Sequence, residues 1–99
     1  MERMPSACAC AALLRVLADP TRLDVVRRLL DGPLHVGALN SGLGINQSLL
    51  SHHLRVLRDA GLVEAQRDGK SVLYRVTPGR AATGGKQGLD FGCCRVTFD

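Results

Sequence analysis

The sequence predicts a small, mainly α-helical domain that closes on a single β-hairpin. Three observations carry that prediction. Aromatic residues make up 3% of the 99 residues and tryptophan is absent, so the core has to be built from Leu, Val and Ala. That composition favours packed helices over a β-sandwich, whose strands draw on more β-branched and aromatic side chains. Apolar residues recur at helical spacing from Ala7 to Ala60. Beyond Gly61 the period changes to two, around an Asp-Gly pair that marks a hairpin turn.

The elements follow in order. Ala7 to Ala18 reads as a first helix, with Leu13, Leu14 and Leu17 as its apolar stripe and Asp19-Pro20 as its break. Thr21 is expected to cap a second helix that buries Leu23, Val26 and Leu30 and wets Arg27 and Arg28. Gly32-Pro33 stops it. Leu34 to Gly44 carries Val36, Leu39 and Leu43 at helical spacing, and Gly42 and Gly44 mark the end of this short third helix. Asn46 is a good N-cap for a fourth helix from Gln47 to Ala60. Leu50, Leu54 and Leu57 line one face of it, and Gln47, Ser48, Ser51, His52, Arg55 and Arg58 the other. Val63 and Ala65, then Val72, Tyr74 and Val76, alternate as strands around Arg67-Asp68-Gly69-Lys70. Residues 7–78 are therefore expected to form the folded domain. Residues 79–99 are expected as a glycine-rich tail whose last segment, from Leu89, alternates like a strand.

The net charge of +4 fits a polyanionic partner, nucleic acid or membrane surface. No apolar run approaches the roughly eighteen residues of a membrane span. Arg15 and Asp19-Pro20 interrupt the apolar start, which argues against a secretory signal. The expectation is a cytoplasmic protein with no membrane partner. In that compartment four cysteines point to metal binding or redox sensing more than to structural disulfides. An enzyme is not expected, and neither is an organic cofactor: Gly84, Gly85 and Gly88 do not follow a strand and open a helix, and no Cys-x-x-Cys occurs.

The two helices between Leu34 and Ala60 have the lengths and glycine-containing turn of a helix-turn-helix. Gln, Ser, His and Arg on the second can donate to base edges or phosphates of duplex DNA. The hairpin tip offers Arg67 and Lys70 to phosphate beside the groove. Leu17-Ala18-Asp19-Pro20-Thr21-Arg22-Leu23 and Ser51-His52-His53-Leu54-Arg55-Val56-Leu57-Arg58-Asp59-Ala60-Gly61-Leu62-Val63 resemble the ArsR/SmtB family of metal-responsive repressors. Arg67-Asp68-Gly69-Lys70 to Tyr74-Arg75-Val76 is similar to the wing of that family. The resemblance covers roughly residues 11 to 78 and implies a winged helix-turn-helix homodimer that sits on a palindromic operator and leaves it when an inducer binds. It implies base and phosphate contacts from Gln47, Ser48, Ser51, His52, His53 and Arg55, and wing contacts from Arg67 and Lys70.

The chain departs from the family at the inducer sites. The Cys-x-Cys positions of the third helix fall on His35 and Gly37, with Asn40 where a third cysteine can occur, and the C-terminal helix that carries zinc ligands is replaced by glycine-rich sequence. His35 reads as a surface residue. The four cysteines sit at the two ends, as Cys8, Cys10, Cys93 and Cys94. Soft thiolates select thiophilic ions, and As(III) or Sb(III) takes three sulfurs. Some arsenite-sensing members look like this, with a C-terminal Cys-Cys pair. In the family fold the chain ends meet at the dimer interface, so Cys93 and Cys94 are expected to be joined by Cys8 or Cys10, from the same subunit or its partner. Two other uses stay open. One is a redox switch linking the tail to Cys8 or Cys10. The other is a four-thiolate zinc or cadmium site. Cys8 and Cys10 also read as small core residues.

Overall fold

Two cap sequences and the left-handed glycines Gly44 and Gly61 set boundaries of the second, third and fourth helices. The computed structural model describes residues 7–84 and 87–98, and side chains from residue 9 onward. The order is α1 (Ala7–Leu17), α2 (Pro20–Leu30), β1 (Leu34–His35), α3 (Val36–Leu43), α4 (Gln47–Asp59), β2 (Val63–Asp68), β3 (Ser71–Val76), β4 (Gly88–Asp90) and β5 (Arg95–Thr97).

Asp19, not Thr21, caps α2. Pro20 pre-sets the first helical φ, which starts the helix two residues earlier than expected. The Asp19 carboxylate then accepts from the Thr21 and Arg22 backbone N–H groups at 2.9 and 3.0 Å. The helix accordingly buries Val25, Val26 and Leu29, while Leu23 and Leu30 are half-buried.

The third helix is shorter than its apolar spacing predicts. Leu34 and His35 are drawn into β1, pairing with Tyr74 and Leu73 of β3. At the other end Gly44 adopts φ 64°, and its N–H returns to the Asn40 carbonyl at 2.9 Å, closing the helix. Asn46 caps α4 as expected, its side chain accepting from the Ser48 N–H at 2.7 Å.

The antiparallel sheet runs β1-β3-β2. Asp68 lies opposite Ser71, so the two-residue loop is Gly69-Lys70. Gly69, at φ 62°, takes the first loop position, where a type II′ turn wants glycine. The turn thus sits one residue later than the Asp-Gly pair announces.

Leu50, Leu54 and Leu57 of α4 pack with Val25, Val26 and Leu39 into one core beneath the sheet. The glycine-rich tail joins that core. β4 and β5 form a second antiparallel hairpin, and Leu89 and Phe91 are as deeply buried as the α4 leucines. Backbone bonds from Asp90 to the Arg80 carbonyl (2.7 Å) and from Phe98 to the Gln87 carbonyl (2.9 Å) hold it. Gln87 Nε2 donates to Asp31 at the end of α2 at 2.5 Å. Gly88 is required there, because a Cβ would collide with the Val96 carbonyl oxygen. Among the described residues no helix is long and apolar enough to cross a membrane.

Candidate nucleic-acid interface and thiol cluster

The α4 helix divides its surface cleanly. Its leucine stripe is inside, and Gln47, Ser48, Ser51, His52, Arg55 and Arg58 are all exposed on the outer side. At the C-terminal end of that face lies a cleft of about 380 Å³ lined by Ser51, Arg55, Arg58, Asp59 and Tyr74. Two guanidinium groups with neighbouring hydroxyls suit a phosphate oxygen. The sequence reading placed Arg58 on this face without giving it a role, and it missed Tyr74 because a strand residue so distant in sequence carries no local signal. Arg67 and Lys70 are exposed at the hairpin tip. His35 Nε2 donates to Asp68 at 2.8 Å, tying the tip to the start of α3.

His53 does not belong to that outer face. It is 7% exposed, so the expected DNA contact is corrected: its ring points into the junction of α1, α2 and α4. Position 53 lies three residues after Leu50 and four before Leu57, within the buried stripe, and that spacing is the signal that identifies it. Arg22 Nη1 lies 3.2 Å from His53 Nδ1, and Arg22 Nε donates to the Val16 carbonyl at 2.6 Å. Asp19 Oδ1 is 4.0 Å from the same Nδ1. The Arg22 backbone N–H, above all, holds the Asp19 carboxyl below the usual carboxylate range. Burial opposes that, while His53, the Thr21 N–H and the Arg22 guanidinium reinforce it.

The cysteines of the two chain ends meet within one subunit. Cys10, buried on α1, forms a disulfide with Cys93 in the turn between β4 and β5, with Cα atoms 6.5 Å apart. Cys94 is exposed with a free thiol, its Sγ 3.8 Å from that of Cys93. The Cys8 side chain lies outside the described residues. Three of the four expected thiols are therefore adjacent, and two of them are oxidised where reduced thiols were expected. In this state no group of three or more His, Cys, Asp or Glu side chains among the described residues is arranged to hold a metal ion.

Comparison with known proteins accords with this geometry. Residues 19–65, from the Asp19 cap to the first wing strand, match the family model described as bacterial regulatory protein, arsR family. A biofilm growth-associated repressor of Xylella fastidiosa is 44% identical over 72 residues, which are 73% of this chain and 63% of that protein. The structure of reduced HlyU from Vibrio cholerae superposes with a TM-score of 0.71 at 37% identity, covering 74% of this chain and 77% of that one. The chain belongs to the arsR family. Its fold is the winged helix-turn-helix, with α3 and α4 as the motif and β2–β3 as the wing. A homodimeric winged helix-turn-helix DNA-binding domain from Mycobacterium bovis is also similar, with a TM-score of 0.65 and 33% identity over 70% of this chain and 64% of that one. The chain spans 63% of the length of the first curated relatives it matches.

Proposed function

We propose that this arsR-family chain is a transcriptional repressor that binds palindromic operator DNA as a homodimer and leaves it when a thiophilic inducer takes its cysteines. The observation that supports DNA binding is the split of α4: a leucine face locked in the core, and a polar face of Gln47, Ser48, Ser51, His52 and Arg55 held outward beside the wing cations Arg67 and Lys70. A helix so presented fits the major groove, and the wing charges fit the flanking phosphates. The homodimer is supported by the Mycobacterium bovis relative. It is supported too by α1, which leaves Leu14 44% exposed beside exposed Ala11 and Ala12.

For the inducer, the adjacency of Cys10, Cys93 and Cys94 supports arsenite or antimonite. Reduction of the Cys10–Cys93 bond yields three neighbouring thiols, a donor set that matches the three-sulfur preference of these ions. The test is fluorescence anisotropy of the reduced protein on its own promoter fragment while arsenite is added. Release near one equivalent, absent after Cys93→Ser with Cys94→Ser, is expected. Release that survives that double substitution overturns the thiol seat.

The disulfide itself favours a second reading, in which oxidation is the signal. Two thiols and one hydrogen peroxide give the Cys10–Cys93 disulfide and two waters, so a peroxide suffices as oxidant. Release by peroxide but not by arsenite selects it.

A further inference from the structure

The thiol cluster and the reading face of α4 lie on different elements, and a polar junction at Arg22 joins the helices that carry them. Cys10 is on α1. Six residues on, about 9 Å along the helix, the Val16 carbonyl accepts from Arg22 Nε at 2.6 Å. The other limb of the same guanidinium reaches His53 Nδ1 at 3.2 Å, on α4. Asp19 fixes Arg22 from behind, capping its backbone N–H at 3.0 Å while standing 4.0 Å from the His53 ring. Arginine only donates, so in this contact Nδ1 is placed to accept from Nη1. His53 is followed two residues later by Arg55 and preceded by Ser51 and His52, all exposed on the outer face. A buried imidazole bonded to a forked cation makes the position of α4 depend on where α1 ends.

We propose that Arg22 and His53 are the relay by which the state of the cysteines on α1 sets the position of α4. His53 is a positioning residue: it does not touch DNA, and it fixes the recognition helix to the end of α1 through Arg22. Making or opening the Cys10–Cys93 link, or gathering these thiols around an inducer, shifts α1 along or about its axis. The Val16–Arg22–His53 bonds carry that shift into α4. This relay rests on the thiol-responsive reading of the protein.

The test measures operator Kd by anisotropy with the full chain, with and without arsenite and with and without hydrogen peroxide. The ratio of the two affinities is compared among variants. Allosteric coupling of ordinary size gives a ratio of about 5- to 150-fold. For wild type we expect at least about tenfold with one of the two reagents. His53→Leu, which removes the acceptor, is expected to bring the ratio below about threefold. His53→Asn, whose Oδ1 stands near the place of Nδ1 and can accept from Arg22, is expected to keep it within about twofold of wild type. Arg22→Lys replaces the fork with a point donor that cannot bridge Val16 and His53, and it is expected to uncouple as His53→Leu does. It carries the test if His53→Leu fails to fold by circular dichroism. A simple packing role for His53 would change stability and leave the ratio intact. Full release retained by His53→Leu or by a folded Arg22→Lys overturns the relay alone. A wild-type protein that answers neither reagent overturns the thiol reading, and the relay with it.

Discussion

Reducing the Cys10–Cys93 bond should destabilise the domain by an amount that follows from where the two residues sit. They are 83 residues apart, so the link closes nearly the whole chain. A loop of that length removes about 15 cal/mol/K of entropy from the unfolded chain, equivalent to about 4.5 kcal/mol at 25 °C. The link also clasps the β4–β5 hairpin, with Leu89 and Phe91, against a helix that otherwise lies at the edge of the core. Loss of at least about 2 kcal/mol on reduction is expected, allowing for structure retained in the unfolded chain. For a domain of this size that lowers Tm by about 10 °C or more. The assay is thermal unfolding by far-ultraviolet circular dichroism of peroxide-oxidised and reduced protein, with the Cys10–Cys93 link verified by peptide mapping. Cys10→Ser should melt with the reduced protein under both conditions, and Cys94→Ser should keep the difference. Coincident melts of verified oxidised and reduced wild type would refute the reasoning.

Three other outcomes follow from the fold. Arg67→Ala and Lys70→Ala should each lower the slope of log K against log salt by about 0.9, as expected for one lost phosphate contact; unchanged slopes would remove the wing from the interface. Asp19→Ala should cost about 0.5–2 kcal/mol near neutral pH through loss of the α2 cap, whereas Asp19→Asn keeps a capping oxygen. Because the folded-state pKa of Asp19 is depressed, its ionic contribution is present at neutral pH and lost as pH falls below about 4. The wild-type advantage over Asn, measured by urea unfolding, should fade over that range, and an advantage constant with pH would count against it. Gly88→Ala should cost about 1–3 kcal/mol in the same assay, since the added methyl meets backbone that cannot rotate away; an unchanged midpoint would show that β4 and β5 can separate at that point.

The long periodic elements were legible in the sequence. The α4 stripe of Leu50, Leu54 and Leu57, the Asn46 cap and the wing strands all stand where spacing and cap chemistry predict. What spacing could not supply is set by non-local pairing. β1 has two residues, too few for any period, and exists only because β3 offers Tyr74 and Leu73 as partners. β4 and β5 have three residues each, and Phe91 is drawn inward by a core that the tail cannot see locally. The misassignment of His53 had a different cause. Family motif outweighed helical phase, although the phase already grouped position 53 with the leucines. The cysteine ends were expected to meet, but the selection of Cys10 and its oxidised pairing with Cys93 required three-dimensional placement.

The most direct test of the account is one titration: reduced protein on a fluorescent promoter fragment carrying the palindrome, beside a scrambled duplex, from 50 to 200 mM salt on the order used for such slopes. The account predicts tighter binding to the palindrome by about a thousandfold or more, with affinity falling steeply as salt rises. Equal binding to both duplexes, indifferent to salt, would contradict it.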